Sequence, residues 1–217
     1  MILSAILLAL QVAPAEQSVD AAAPSSPVSP RASASVDLSS TDADREARVM
    51  MAKYAACIAD SSADKVAEVL TRDFRTTEYR NGLRNLSRAN EGCARQVGLN
   101  GSLRMSGLRF AAALAEDMMR RDPAPLNVRL AKAASGTEAV TYAPSDAMAM
   151  CIARSAPDEV AGLLSSAPGT VDEQGALAKL EPIAAMCSRN ETFEISPVGL
   201  RSIVATASYR LLAAQGG

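Results

Sequence analysis

Ala56-Cys57-Ile58-Ala59 returns later in the chain as Met150-Cys151-Ile152-Ala153. Each copy has one further cysteine, Cys93 in the first and Cys187 in the second, at the same interval of 36 residues. These four are all the cysteines of the 217-residue chain. An ungapped shift of 94 lays residues 57–95 on 151–189. It pairs Ser61 with Ser155, Asp64 with Asp158, Val66 with Val160, Leu70 with Leu164, Thr76 with Thr170 and Leu83 with Leu177. Identities at helical spacing around a repeated cysteine pair mark an internal duplication.

The apolar positions of each copy recur at three and four residues, the period of a helix face. In the first copy Ala43, Ala47, Met50, Tyr54 and Cys57 give one face, and Ala63, Val66, Ala67, Leu70 and Phe74 a second. Thr41-x-x-Asp44 and Ser61-x-x-Asp64 are capping patterns at their starts. Asn81-Gly82 signals a break before a third face of Leu83, Leu86, Asn90, Cys93 and Val97. A loop is expected over 98–101, and Ser106 is expected to cap a fourth helix that ends at Arg120-Arg121. Thr170-Val171-Asp172-Glu173 reads as a capping box, and Ser196-Pro197 as an N-cap followed by proline at the first helical position. Arg95 and Arg189 are placed to close the third helix of each copy. The triplets around Arg104 and Glu194 could pair as a short ribbon. The expected fold is all-α: two tandem units of about four helices each, repeat one over 41–122 and repeat two over 145–217, with a linker over 123–144.

The leading segment differs. Residues 2–10 are an apolar run too short for the ~20 residues of a membrane-crossing helix. Ala13-Pro14-Ala15 supplies small residues before Glu16, so residues 1–15 read as a secretory signal peptide cleaved after Ala15. No Lys or Arg precedes the run. Residues 16–40, rich in Ala, Ser and Pro, read as a flexible tether with too little apolar bulk to offset its ordering entropy. A periplasmic or secreted location with no stable membrane span follows as an expectation.

Composition excludes much chemistry. The chain has no histidine, which removes Ser-His-Asp and Cys-His catalysis and the commonest metal ligand. Aromatics are 3% and tryptophan is absent, so base-stacking platforms for nucleic acid are not available. No phosphate loop, dinucleotide fingerprint or nucleophile elbow occurs, and no cofactor or metal is expected. Net charge is −2, but residues 41–133 hold 16 Lys and Arg against 12 Asp and Glu, and residues 134–217 hold 5 against 9. Such opposite halves either attract each other or leave a charged surface for a partner.

For an exported chain, four cysteines point to disulfides. Duplication favours Cys57 with Cys93 and Cys151 with Cys187, since a copied unit must be self-contained. The competing readings are a four-cysteine zinc site or a redox pair, which ordinarily use closely spaced cysteines. Arg80, Arg84 and Arg88 lie four apart and Arg95 seven further on, a stripe on one helix face. That stripe reads either as an anion-binding face for a lipid head group, wall polymer or acidic protein, or as a solvated face partnered by Glu78 and Glu91 or docked onto the acidic second repeat. Arg109 and Arg201 recur near helix starts, where the dipole disfavours a cation. Asp64 and Asp158, also repeated, are their expected ion-pair partners. Glu116-Asp117 read as solvated.

The run Cys151-Ile152-Ala153, Ser155-x-x-Asp158, Leu163-Leu164, Pro168-Gly169-Thr170-x-x-Glu173, Ala176-Leu177-x-x-Leu180, Cys187, Gly199-Leu200-Arg201 and Ala207-Ser208-Tyr209-Arg210-Leu211 resembles uncharacterised secreted bacterial proteins, rich in Ala and Arg, with two-cysteine helical repeats. The resemblance spans roughly residues 41–217. It implies the compartment and the repeat, and no activity. The reading that results is a non-enzymatic binding or structural module whose partner is a protein or a cell-envelope component, of undetermined oligomeric state. The alternative is a carboxylate hydrolase or an inhibitor directed at the cell wall, since two acids suffice for glycoside hydrolysis.

Overall fold

A computed structural model describes residues 38–98, 106–189, 191 and 194–216. The expected signal peptide, nearly all of the tether, most of the loop at 98–101 and, of the suggested ribbon, residues 103–105 and 193 lie outside them. Among the described residues the chain is all-α, with no strand. Its helices are α1 (Leu38–Leu70), α2 (Thr77–Ala89), α3 (Glu91–Gln96), α4 (Leu108–Arg120), α5 (Leu126–Ala134), α6 (Pro144–Ser155), α7 (Pro157–Ser165), α8 (Val171–Cys187) and α9 (Pro197–Ala213). No helix among the described residues is long and apolar enough to cross a membrane.

The duplication is visible helix by helix. α1 kinks at Ser62 (φ −148°, ψ 37°), and the residue 94 further on, Ala156 (φ −136°, ψ 58°), separates α6 from α7. Repeat two breaks outright because Pro157 has no N–H to carry the helix on, whereas repeat one has Ala63 there. Thr76 and Thr170 both cap: their hydroxyls accept from Tyr79 N (3.2 Å) and Glu173 N (3.3 Å). Ser196 caps α9 through Gly199 N (3.1 Å). Ser106 does not cap α4. Gly107 holds that position at φ 133°, a backbone conformation that glycine adopts without the strain a Cβ would bring. Both disulfides form, Cys57–Cys93 and Cys151–Cys187, each tying the first helix of its repeat to the end of the third helical segment. All four sulfurs are thereby consumed, which removes the zinc reading.

Two further expectations fail because of packing. α2 runs through Asn81-Gly82 without a break, because glycine lets it lie against the second half of α1: a Cβ on Gly82 would sit 2.7 Å from Val69 Cγ2. The break comes instead at Asn90, whose amide turns back to donate to Leu86 O (2.9 Å) and Ser62 Oγ (3.3 Å). The supposed linker at 123–144 contains α5, with Leu130 and Ala133 buried in the core of repeat two. Its apolar positions Leu126, Leu130 and Ala133 have helical spacing. Arg129 anchors it by donating to Met119 O at the end of α4 (2.6 Å).

The close contact at Gly82 is testable. Gly82→Ala removes a helix cost of about 1 kcal/mol. It also forces a methyl into Val69, whose β-branched side chain has one good rotamer and cannot yield, an overpacking cost of about 1–3 kcal/mol. The variant is expected to unfold at a lower urea concentration than the wild type. An unchanged or raised midpoint would contradict the contact.

Each repeat has its own core, one around Tyr54, Ile58, Leu83 and Leu114, the other around Ile152, Leu163, Leu180 and Leu211. The two form one compact unit from Asp37 to Gly217. α4 and α9 pack on each other across the repeats, and each packs on the first helix of its own repeat. The repeats also exchange side chains reciprocally. Arg48 of α1 reaches Glu173 of repeat two. Tyr142, at the matching place before α6, donates to Thr71 O (3.5 Å) and stands edge-on to Phe74. Arg48 and Tyr142 are matching positions that each cross to the other repeat, and the matching last helices α4 and α9 meet each other, as in a pseudo-twofold arrangement.

Candidate functional site

Two features carry concentrated charge. The first lies between the repeats. Thr170 starts α8, so Glu173 falls in its first turn, where its carboxylate accepts from Gly169 N (2.7 Å). Arg48 crosses from α1 with both guanidinium nitrogens on Glu173, one of them at 2.8 Å. Arg201 of α9 joins Glu173 (2.9 Å) to Glu116 of α4, which it grips with two parallel bonds of 2.9 and 2.8 Å. Arg201 is only 4% exposed and also donates to Ser166 O (3.1 Å). The row Arg48–Glu173–Arg201–Glu116 alternates in sign and is neutral as a whole. Burial pushes the Glu173 carboxyl up. The hydrogen bonds of Arg48 and Gly169 and the charges of Arg48 and Arg201 together outweigh it and hold the group below the ordinary carboxylate range.

A cleft of about 630 Å³ opens beside this row, between α4, α5 and α7. Its walls include Met119, Leu126 and Leu164. Glu116 and Arg201 form its polar floor. A general acid needs a carboxyl whose pKa is raised toward working pH. Here Glu173 is shifted the other way, and Glu116 has both oxygens engaged by Arg201. Glu173 and Glu116 act as straps between repeats.

A further buried ion pair joins α6 to α9. Asp146 pairs with Arg210, and both are buried. The Arg210 guanidinium lies 5.7 Å from the Phe74 ring and 5.4 Å from that of Tyr142. Burial, with Arg210 opposing and Asp146 adding, pushes the Tyr79 hydroxyl up to about 12.

The second feature is on the surface. Arg80, Arg84 and Arg88 are exposed on the uninterrupted helix α2. Arg80 donates to Thr77 Oγ1 (3.1 Å) and Arg84 to Asn81 Oδ1 (3.4 Å). Among the described residues no carboxylate lies within ion-pair distance of these three, so Glu78 and Glu91 do not neutralise them. Arg95 is exposed as well, but the helix break at Asn90 puts it on α3, and the seven-residue spacing no longer extends the row.

The anticipated pairs do not form. Arg109 is exposed and sits 3.7 Å from Asp44, not beside Asp64. Asp158 accepts from Asn127 Nδ2 (2.8 Å) and is not the partner of Arg201. Arg201 does have acid partners, but they come from the other repeat and from α8. Glu116-Asp117 are not solvated: Asp117 is buried and bound to Arg121 (2.9 Å). The residues that sequence reading missed are Arg48, Glu116, Asp146 and Arg210. Arg201 carried a signal through its recurrence; the others occupy positions where the two repeats differ.

The comparisons with known proteins add no relative: no family model, curated protein or solved structure matches this chain.

Proposed function

We propose that the protein is a non-enzymatic, secreted or periplasmic binding module that attaches to a cell-envelope component through the basic face of repeat one. The observation that carries this reading is the contrast between its charges. The buried acids and arginines between the repeats are consumed in holding the fold. The row on α2 faces solvent, and among the described residues no acid is within ion-pair distance of it. Cross-repeat ion pairs run both ways, Arg48 to Glu173 and Arg201 to Glu116, so the basic excess of residues 41–133 is not spent at the interface. The apolar segment at 2–10 and Ala13-Pro14-Ala15 support export, and the two disulfides are compatible with it.

The test is to mix the purified protein with washed envelope fractions and with peptidoglycan, and to assay pellet and supernatant. The protein is expected in the envelope pellet at low salt and in the supernatant at high salt, since exposed charges are screened beyond a Debye length of about 10 Å at 0.1 M salt. No soluble glycan fragments are expected. Failure to sediment overturns the binding reading, and sustained release of reducing ends supports the hydrolase instead.

A further inference from the structure

We infer that the arginine row of α2 docks the protein on the surface of an anionic phospholipid bilayer, an inference that rests on the binding-module reading and names its partner. The second repeat serves as an internal control. It has the same threonine cap, the same staple and the same core positions on α8. Where repeat one has Arg80, Arg84 and Arg88, it has Gln174, Ala178 and Pro182. The scaffold therefore folds without charge at these places, and the three arginines answer to something outside it.

Their arrangement suits a flat surface. At a rise of 1.5 Å per residue, successive arginines are about 6 Å apart along one edge of the helix. α2 buries Tyr79, Leu83 and Leu86 inward and packs mainly on α1, so the arginine side forms an outer ridge. The nearest hollow, of about 210 Å³, is lined by Gly82, Asn85, Leu86 and Ala89 and not by these arginines. A groove could wrap a polymer chain, whereas a ridge meets a plane. The exposed neighbours Thr77, Asn81, Asn85 and Ala89 are small or polar. None of the exposed large hydrophobic residues lies on α2, so nothing is placed to enter the acyl region. Contact is then electrostatic, at head-group depth, with guanidinium forks on phosphate oxygens. Glu78 is the one acid on α2, in its first turn beside the helix dipole.

The experiment is co-sedimentation of the whole protein with vesicles of neutral phosphatidylcholine, with and without phosphatidylglycerol. Binding is expected only with the anionic lipid. Each arginine removed is expected to lower the partition coefficient about fivefold, the equivalent of ~1 kcal/mol. Arg80→Gln, Arg84→Gln and Arg88→Gln together are expected to lower it on the order of 100-fold. A control with the same charge change, Lys53→Gln, Lys132→Gln and Lys179→Gln, is expected to bind near the wild-type level. The arginine variant should melt as the wild type does, because among the described residues those side chains bond only to Thr77 and Asn81. Equal losses in the two variants, or tighter binding to a soluble polyuronate than to vesicles, overturn the inference. If the wild type sediments with envelope fractions but ignores anionic vesicles, the lipid is wrong and the module reading stands. If it binds neither, both fall.

Discussion

Arg201→Met is expected to lower the unfolding free energy by about 3–5 kcal/mol, far more than the loss of a surface ion pair. The size follows from what the substitution leaves behind. Glu173 keeps Arg48 and the Gly169 N–H. Glu116 keeps only Arg120, at 3.8 Å on an exposed side chain, and becomes a shielded charge without a close partner. Removing that charge as well, with Glu116→Gln, is expected to restore part of the loss, so a double-mutant cycle should show strong coupling between α4 and α9. The same row sets an acid limit. The Glu173 carboxyl lies below its ordinary value in the fold, so the unfolded chain takes up a proton first as pH falls. Its contribution is complete above about pH 4.3, the unfolded value, and is lost as pH drops through the lower folded value. Urea midpoints of the wild type and the two variants across acid pH measure both effects. A loss from Arg201→Met no larger than that from an exposed pair would mean that the row is not shielded as described.

The parts of this fold that could be read from the sequence are those written within one repeat. The equal cysteine spacing favoured the pairing that forms, and Thr170 and Ser196 marked helix starts because a cap is a local hydrogen bond. What depends on contact between repeats was not legible. Recurrence at Arg109 and Arg201 suggested a partner inside each copy, but Arg201 crosses to Glu116 of the other repeat, while Arg109 is exposed beside Asp44. Asn81-Gly82 looked like a turn because glycine commonly marks one. In the fold it marks a close approach of two helices, which nothing local announces. α5 was hidden by its length: nine residues after Pro125 are marginal as a helix alone, and burial of Leu130 is what holds them. The basic face was legible for the opposite reason. Arg80, Arg84 and Arg88 share one helix, and their exposure needs no partner to define it.

Replacing Cys57 and Cys93 by serine is expected to cost about 4 kcal/mol, on the chain-entropy account of a loop closed over this separation, and the Cys151–Cys187 pair about the same. The wild type should accordingly show no alkylatable thiol in denaturant until a reductant is added. The two losses are expected to differ in place. Cys187 is the last residue of α8, a helix of 17 residues whose capping box and core contacts survive without the bond. Cys93 lies in α3, which has six residues, follows the break at Asn90 and packs on α1. Six residues do not hold a helix on their own in water. Without the Cys57–Cys93 bond, α3 should therefore open before the rest, and amide exchange over 91–96 should become fast while α2 stays protected. Without Cys151–Cys187, protection over α8 should weaken only as global stability falls. Exchange measured under native conditions separates the two, and equal protection of α3 with and without its disulfide would show that packing on α1, not the bond, holds it.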